Sequence, residues 1–151
     1  MNAQTNVSDE PRPALVCVDD EQRRASVVSS LEELGYQPQV AADAEVAIEA
    51  IRKSGCRVIV IDEAYGAAPA DESVMKTLNT MPISARRYIF VAMIGEDVKT
   101  LDNAIAFARS VNAVVHVSDL GGLAPILRRA VADNDAFYRA FREVLQAAGK
   151  R

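Results

Sequence analysis

The sequence predicts an α/β fold: a five-stranded, parallel, doubly wound sheet in the order 2-1-3-4-5, with an extra C-terminal helix. Three observations lead there. Short apolar runs rich in β-branched residues alternate five times with amphipathic stretches. The runs at Ala14–Val18, Arg57–Ile61 and Tyr88–Ile94 lack the polar alternation of a half-solvated strand, so these three read as buried on both faces. Helices between such strands must cover both sides of one sheet, and right-handed crossovers leave few topologies.

The elements follow in order. Ala14–Val18 is the first strand and runs into Asp19 and Asp20. The next stretch carries Val27, Val28, Leu31 and Leu34 at helical spacing, and Gly35 stops it. Gln37–Ala41 is a weaker strand. Asp43 is a candidate N-cap for a helix through Ser54 that shows Val46, Ala47, Ala50 and Ile51 on one side. Arg57–Ile61 is a buried strand ending at Asp62. Glu63–Asp71 is expected as a loop and Glu72–Thr80 as a short helix. Tyr88–Ile94 is the fourth strand. Asp97–Ser110 is expected as a helix with Val98, Leu101, Ile105 and Ala108 inward. Ala113–Val117 is the fifth strand. Leu120–Ala132 and Asp135–Ala148 are expected as two further helices. The arrangement is flavodoxin-like, and such sheets bind ligands at the carboxyl ends of their strands. That rule selects Asp19, Asp20, Asp62, Ile94 and Val117.

At 151 residues the chain suits one domain. Half of it is apolar, and a mean hydropathy of +0.01 is ordinary for a globular protein. No run is long enough to cross a bilayer, and the polar start lacks the pattern of a signal peptide. Residues 1–13 read as a disordered lead, 14–132 as the domain and 133–151 as the added helix. Cys17 and Cys56 have no metal spacing and read as reduced thiols, consistent with a cytoplasmic protein. The net charge of −4 argues against a nucleic-acid-binding surface, though not against a local basic patch.

In the 2-1-3-4-5 order the first and third strands are neighbours, so Asp19, Asp20 and Asp62 converge. Close like charges repel, and a hard divalent cation such as Mg²⁺ relieves them. A cation there would also assist phosphoryl transfer to Asp62. Taken singly, Asp20 reads equally as a helix cap and Asp62 as a polar strand end.

The run from Ala14 to Ile51, with Asp19-Asp20-Glu21 after an apolar strand and Leu31…Gly35-Tyr36 closing the helix, resembles the opening of bacterial response-regulator receiver domains, the CheY-like family. Arg57–Asp62 resembles the strand bearing the phosphorylated aspartate of that family. The resemblance spans about Ala14 to Ala132, specific in its first half and loose in its second. It implies Asp62 as phospho-acceptor, with Asp19, Asp20, Asp62 and the Ala64 carbonyl holding Mg²⁺. It also implies a sensor histidine kinase or phosphotransfer protein upstream and an effector protein downstream.

The second half departs from the family. Receivers carry a hydroxyl at the end of the fourth strand, an aromatic within the fifth and a lysine at its end. Those positions fall on Ile94 (Gly95 one residue on), on Val114, and on Val117 (His116 or Ser118 one residue either way). None supplies the expected group, and the Met-Pro pair usual after the acceptor is absent. The chain therefore reads as a single-domain receiver of a two-component phosphorelay that signals by protein contacts, with Asp62 as its candidate acceptor. Because phosphate shifts a two-state equilibrium only through differential contacts, a phosphorylation-independent interaction or dimerisation module is the alternative. Neither is an enzyme. The glycine-free first turn and the lack of a nucleophile–base pairing argue against a flavin- or nucleotide-processing activity on this sheet.

The sole histidine, His116, reads as a satisfied strand-end residue or as a phosphoryl ligand. Tyr65 reads as a surface loop residue or a cover for the pocket. Phe137, Phe141, Val144 and Leu145 form an apolar stripe on the final helix. It packs on its own domain or makes an interface, including that of a homodimer.

Overall fold

A computed structural model describes residues 12–53, 55–66 and 73–149. The strands are β1 (Pro13–Cys17), β2 (Gln37–Val40), β3 (Val58–Asp62), β4 (Phe90–Gly95) and β5 (Ala113–His116). The helices are α1 (Glu21–Glu33), α2 (Ala44–Arg52), α3 (Ser73–Asn79), α4 (Ile83–Arg86), α5 (Asn103–Ala108) and α6 (Leu123–Gly149), with a 3₁₀ segment at Val117–Gly122. All strand pairs are parallel, in the order β2-β1-β3-β4-β5, as the alternation predicts.

Period-two alternation sorts the strand side chains into two cores. Ala14 and Val16, Val58 and Val60, Phe90, Ala92 and Ile94 face Val27 and Leu31 of α1 and Leu123 and Leu127 of α6. Leu15, Ile59, Ile61, Val91, Met93 and Val114 face Ala47 and Ile51 of α2, Val74 and Leu78 of α3, and Ala106 of α5. Burying a side chain the size of Leu15 or Ile59 contributes about 1.5–3 kcal/mol, so this patterning fixes which face of the sheet each strand residue takes. The caps agree with the reading: Asp20 and Asp43 accept the Arg23 and Val46 amides at 2.9 Å. Gly35, at φ +90°, ends the turn after α1.

Three expectations need correction. The stretch expected as one helix from Asp97 to Ser110 is a loop followed by the six-residue α5. Leu101 takes a left-handed φ of 64° and donates to the Val114 carbonyl at 2.8 Å. Thr100 Oγ1 accepts the His116 amide at 2.9 Å. The loop therefore closes the outer edge of β5, and sheet-edge hydrogen bonding overrides the helical periodicity. Asp102 then restarts the helix as N-cap, so Ala106 is buried and Leu101 exposed. The two expected final helices are one 27-residue helix, about 40 Å long. Asp133-Asn134-Asp135 contains no glycine or proline, and polar residues on an exposed face leave the ladder intact. Val117 begins the 3₁₀ segment rather than ending β5. The lead to residue 11, Ser54, residues 67–72 and residues 150–151 lie outside the described residues. Among the described residues no helix is long and apolar enough to cross a membrane.

Candidate functional site

The carboxyl ends of β1, β3 and β4 carry the candidate site. Asp62, the last residue of β3, is 3% exposed and stands opposite Ile94 in register. One carboxylate oxygen accepts the Ala64 amide at 3.0 Å. The other accepts from Arg23 at 2.9 Å, and the second terminal nitrogen of the same guanidinium lies 2.7 Å from Glu96. Arg23 thus bridges the ends of β3 and β4. These bonds, Asp62 first and then Glu96, hold its pKa above the ordinary guanidinium value.

Geometry explains the reach. Arg23 sits three residues after the Asp20 cap, in the first turn of a helix that begins where β1 ends. A long side chain from that turn crosses the strand tips, and a fork of donors spans two carboxylates.

A second pair lies alongside. Glu63 pairs with Arg109 at 2.6 Å and accepts the Glu96 amide at 3.2 Å. The absence of a side chain at Gly95 permits this, because a Cβ there would run into the Glu63 carboxylate. The space beside Gly95, one residue beyond Ile94, is therefore filled by the Glu63 carboxylate and not by a hydroxyl.

Asp19, Asp20 and Asp62 do lie at neighbouring strand ends, but each is engaged separately. Asp20 caps α1. Asp19 accepts the Gly66 amide at 2.7 Å. Asp62 holds Arg23. Among the described residues no three His, Cys, Asp or Glu side chains come close enough together to hold a metal ion. The ligand set expected for Mg²⁺, with the Ala64 carbonyl, does not fit this arrangement: a guanidinium already supplies the positive charge at Asp62, and a dication beside it would be repelled.

Ile94 and Val114 are fully buried in the two cores, and Val117 packs against the core of α1 and α6. None offers a donor to Asp62. His116 is satisfied locally: its Nδ1 accepts the Ser118 amide at 3.0 Å. Tyr65 is 1% exposed and donates to the Ala41 carbonyl at 3.0 Å, so it is a core residue rather than a surface cover. Phe137, Phe141, Val144 and Leu145 are all exposed, by 44–65%, on the outer half of α6. Burial pushes the Cys17 thiol up to about 12 and also raises that of Cys56.

Arg23, Glu63, Glu96 and Arg109 escaped the sequence reading. The available signal was position: Arg23 in the first turn after a strand-end acid, and Glu63 directly after Asp62.

No protein-family profile matches the chain, and no curated protein matches its sequence. Solved structures do match in fold. The receiver domain of a sensor histidine kinase from Pseudomonas aeruginosa PAO1, solved with a magnesium ion in its active-site cleft, has a TM-score of 0.63 at 14% identity, over 82% of this chain and 99% of that one. A response regulator from Thermotoga maritima gives 0.61 at 14% identity, over 82% and 99%. NtrX from Brucella abortus gives 0.63 at 18% identity, over 94% of this chain but 31% of NtrX. The likeness is one of fold: the chain folds like the receiver domains of response regulators.

Proposed function

We propose that this chain is a degenerate receiver, a signalling module that acts through protein contacts without phosphorylation. The observation that supports this most strongly is the Arg23–Asp62–Glu96 bridge. An acceptor aspartate needs a free carboxylate oxygen as nucleophile, a cation on the transferring oxygens, and donors that grip the product. Asp62 has one oxygen committed to Arg23 and the other to the Ala64 amide, and is almost wholly buried. Ile94 and Val117 supply no grip. Arg23 supplies permanently the charge compensation that a metal ion supplies transiently, so the strand ends have one stable arrangement rather than two.

The output is contact with an effector protein or with a second copy of the chain, and the exposed stripe of α6 is the surface for it. A phosphorelay reading, with a sensor histidine kinase or phosphotransfer protein upstream, keeps one point in its favour. Asp62 borders a cleft of about 230 Å³ that Arg23, Glu96 and Asp97 also line. Incubation with acetyl phosphate and Mg²⁺, followed by intact-mass spectrometry, separates the two. The proposal expects no added phosphoryl group on the wild-type chain. An adduct absent from Asp62→Asn would overturn it.

A further inference from the structure

The end of the sheet opposite the acidic site gathers five arginines around one cleft. A cleft of about 630 Å³ opens there, between the amino ends of the strands and the middle of α6. Its walls carry Arg12 before β1, Arg57 before β3, Arg87 before β4, and Arg139 and Arg142 on α6. The chain as a whole carries −4. Among the described residues none of these five arginines makes an ion pair. Among the described residues the carboxylate that shares the wall, Asp135, forms no ion pair with them. Five guanidinium groups around a single carboxylate repel one another, and an anion in the space between them relieves that repulsion.

Aromatic rings lie among these charges. Tyr36, Tyr88 and Tyr138 line the same cleft, leaving only the buried Tyr65 elsewhere among the chain's four tyrosines. Arg12 stacks 4.3 Å over the Tyr36 ring and donates to the Leu34 carbonyl at 3.2 Å, so its guanidinium is held in place. Arg87 lies 5.3 Å over Tyr88, which is 62% exposed. Tyrosine faces accept a flat heterocycle, and forked guanidinium donors accept phosphate oxygens.

We propose that this cleft binds a nucleotide carrying two or more phosphates, its base against a tyrosine ring and its phosphates among the arginines. A single-stranded nucleic acid would use the same chemistry, but needs a basic track several nucleotides long. Here the basic groups surround one bounded cleft in an acidic chain, and its volume is that of a small-ligand site. Nothing in this site touches Asp62 or Arg23, which lie at the other end of the strands.

The test is calorimetric titration of the full chain with ATP, inorganic pyrophosphate, adenosine and a twelve-residue oligothymidylate. ATP should bind with a Kd on the order of 10–100 µM at low salt. Pyrophosphate should bind about tenfold more weakly through loss of stacking, and adenosine should give no measurable heat. Arg139 and Arg142 are exposed on the helix, so Arg139→Gln and Arg142→Gln should leave the melting temperature unchanged while each weakens ATP about tenfold. Tyr138→Ala should weaken ATP but not pyrophosphate. Absence of ATP binding up to millimolar concentration, ATP binding indifferent to both arginine substitutions, or an oligothymidylate that binds more than about tenfold tighter than ATP would each overturn the proposal.

Discussion

Arg23 and Asp62 form an ion pair of 2.9 Å across the tips of α1 and β3, and the aspartate side of it is 3% exposed. Removing one partner leaves the other stranded. Arg23→Ala should therefore destabilise the chain by about 2–3 kcal/mol, because a buried carboxylate loses its compensation. Asp62→Asn should cost only about 1 kcal/mol, since the amide oxygen still accepts and no charge is orphaned. Urea unfolding of both single variants and the double variant checks this, with a coupling energy of about 1.5–2 kcal/mol expected.

Gly95 and Glu63 are coupled in a different way. Gly95→Ala pushes the Glu63 carboxylate off Arg109, and should cost about 1 kcal/mol. In a Glu63→Ala background the same substitution has nothing to displace and should be close to neutral. Equal costs in the two backgrounds would show that the glycine serves the backbone rather than the carboxylate.

Ser110 holds a left-handed φ of 61° without being glycine. Ser110→Gly removes a cost of about 1–2 kcal/mol and returns part of it as unfolded-state entropy. The net should be a rise of about 2–4 °C in Tm, read by calorimetry.

The thiols give an independent check on the sheet. At pH 8 a thiol with its pKa pushed up to about 12 is thiolate in only about one molecule in ten thousand. Cys17 should resist a colorimetric disulfide reagent in the folded chain and react at once in denaturant. Cys56, at the start of the path into β3 and less deeply buried, should react first.

The outer stripe of α6 should make the chain self-associate. Sedimentation at tens of micromolar should show a dimer that Phe141→Glu abolishes with little change in Tm, because Phe141 is exposed and its ring stacks on Phe137 of the same helix rather than in either core. A monomer at all concentrations would assign the stripe to another protein.

The sheet was legible because β1, β3, β4 and β5 are written as apolar runs, and period-two alternation leaves each residue one face; β2, with Gln37 and Gln39, was the weaker signal. Asp19, Asp20 and Asp62 were legible as strand-end positions for the same reason. What escaped is side-chain reach. Nothing local says that Arg23 crosses to β3 instead of facing water, since helix position fixes a side chain's root and not its far end. The loop over β5 escaped because Val98, Leu101 and Ile105 have helical spacing, while the hydrogen bonds that decide the matter come from Val114 and His116, more than ten residues on.

The central claim is that Arg23 closes the acidic pocket. The direct measurement is an amide NMR spectrum titrated with Mg²⁺ and then beryllofluoride, on the wild-type chain and on Arg23→Ala. The wild type should show no Asp62-dependent shift with either addition, and Arg23→Ala should gain Mg²⁺ shifts around Asp19, Asp20 and Asp62. Wild-type beryllofluoride shifts that reach β4 and β5 and vanish in Asp62→Asn would contradict the account and restore a working phosphate switch.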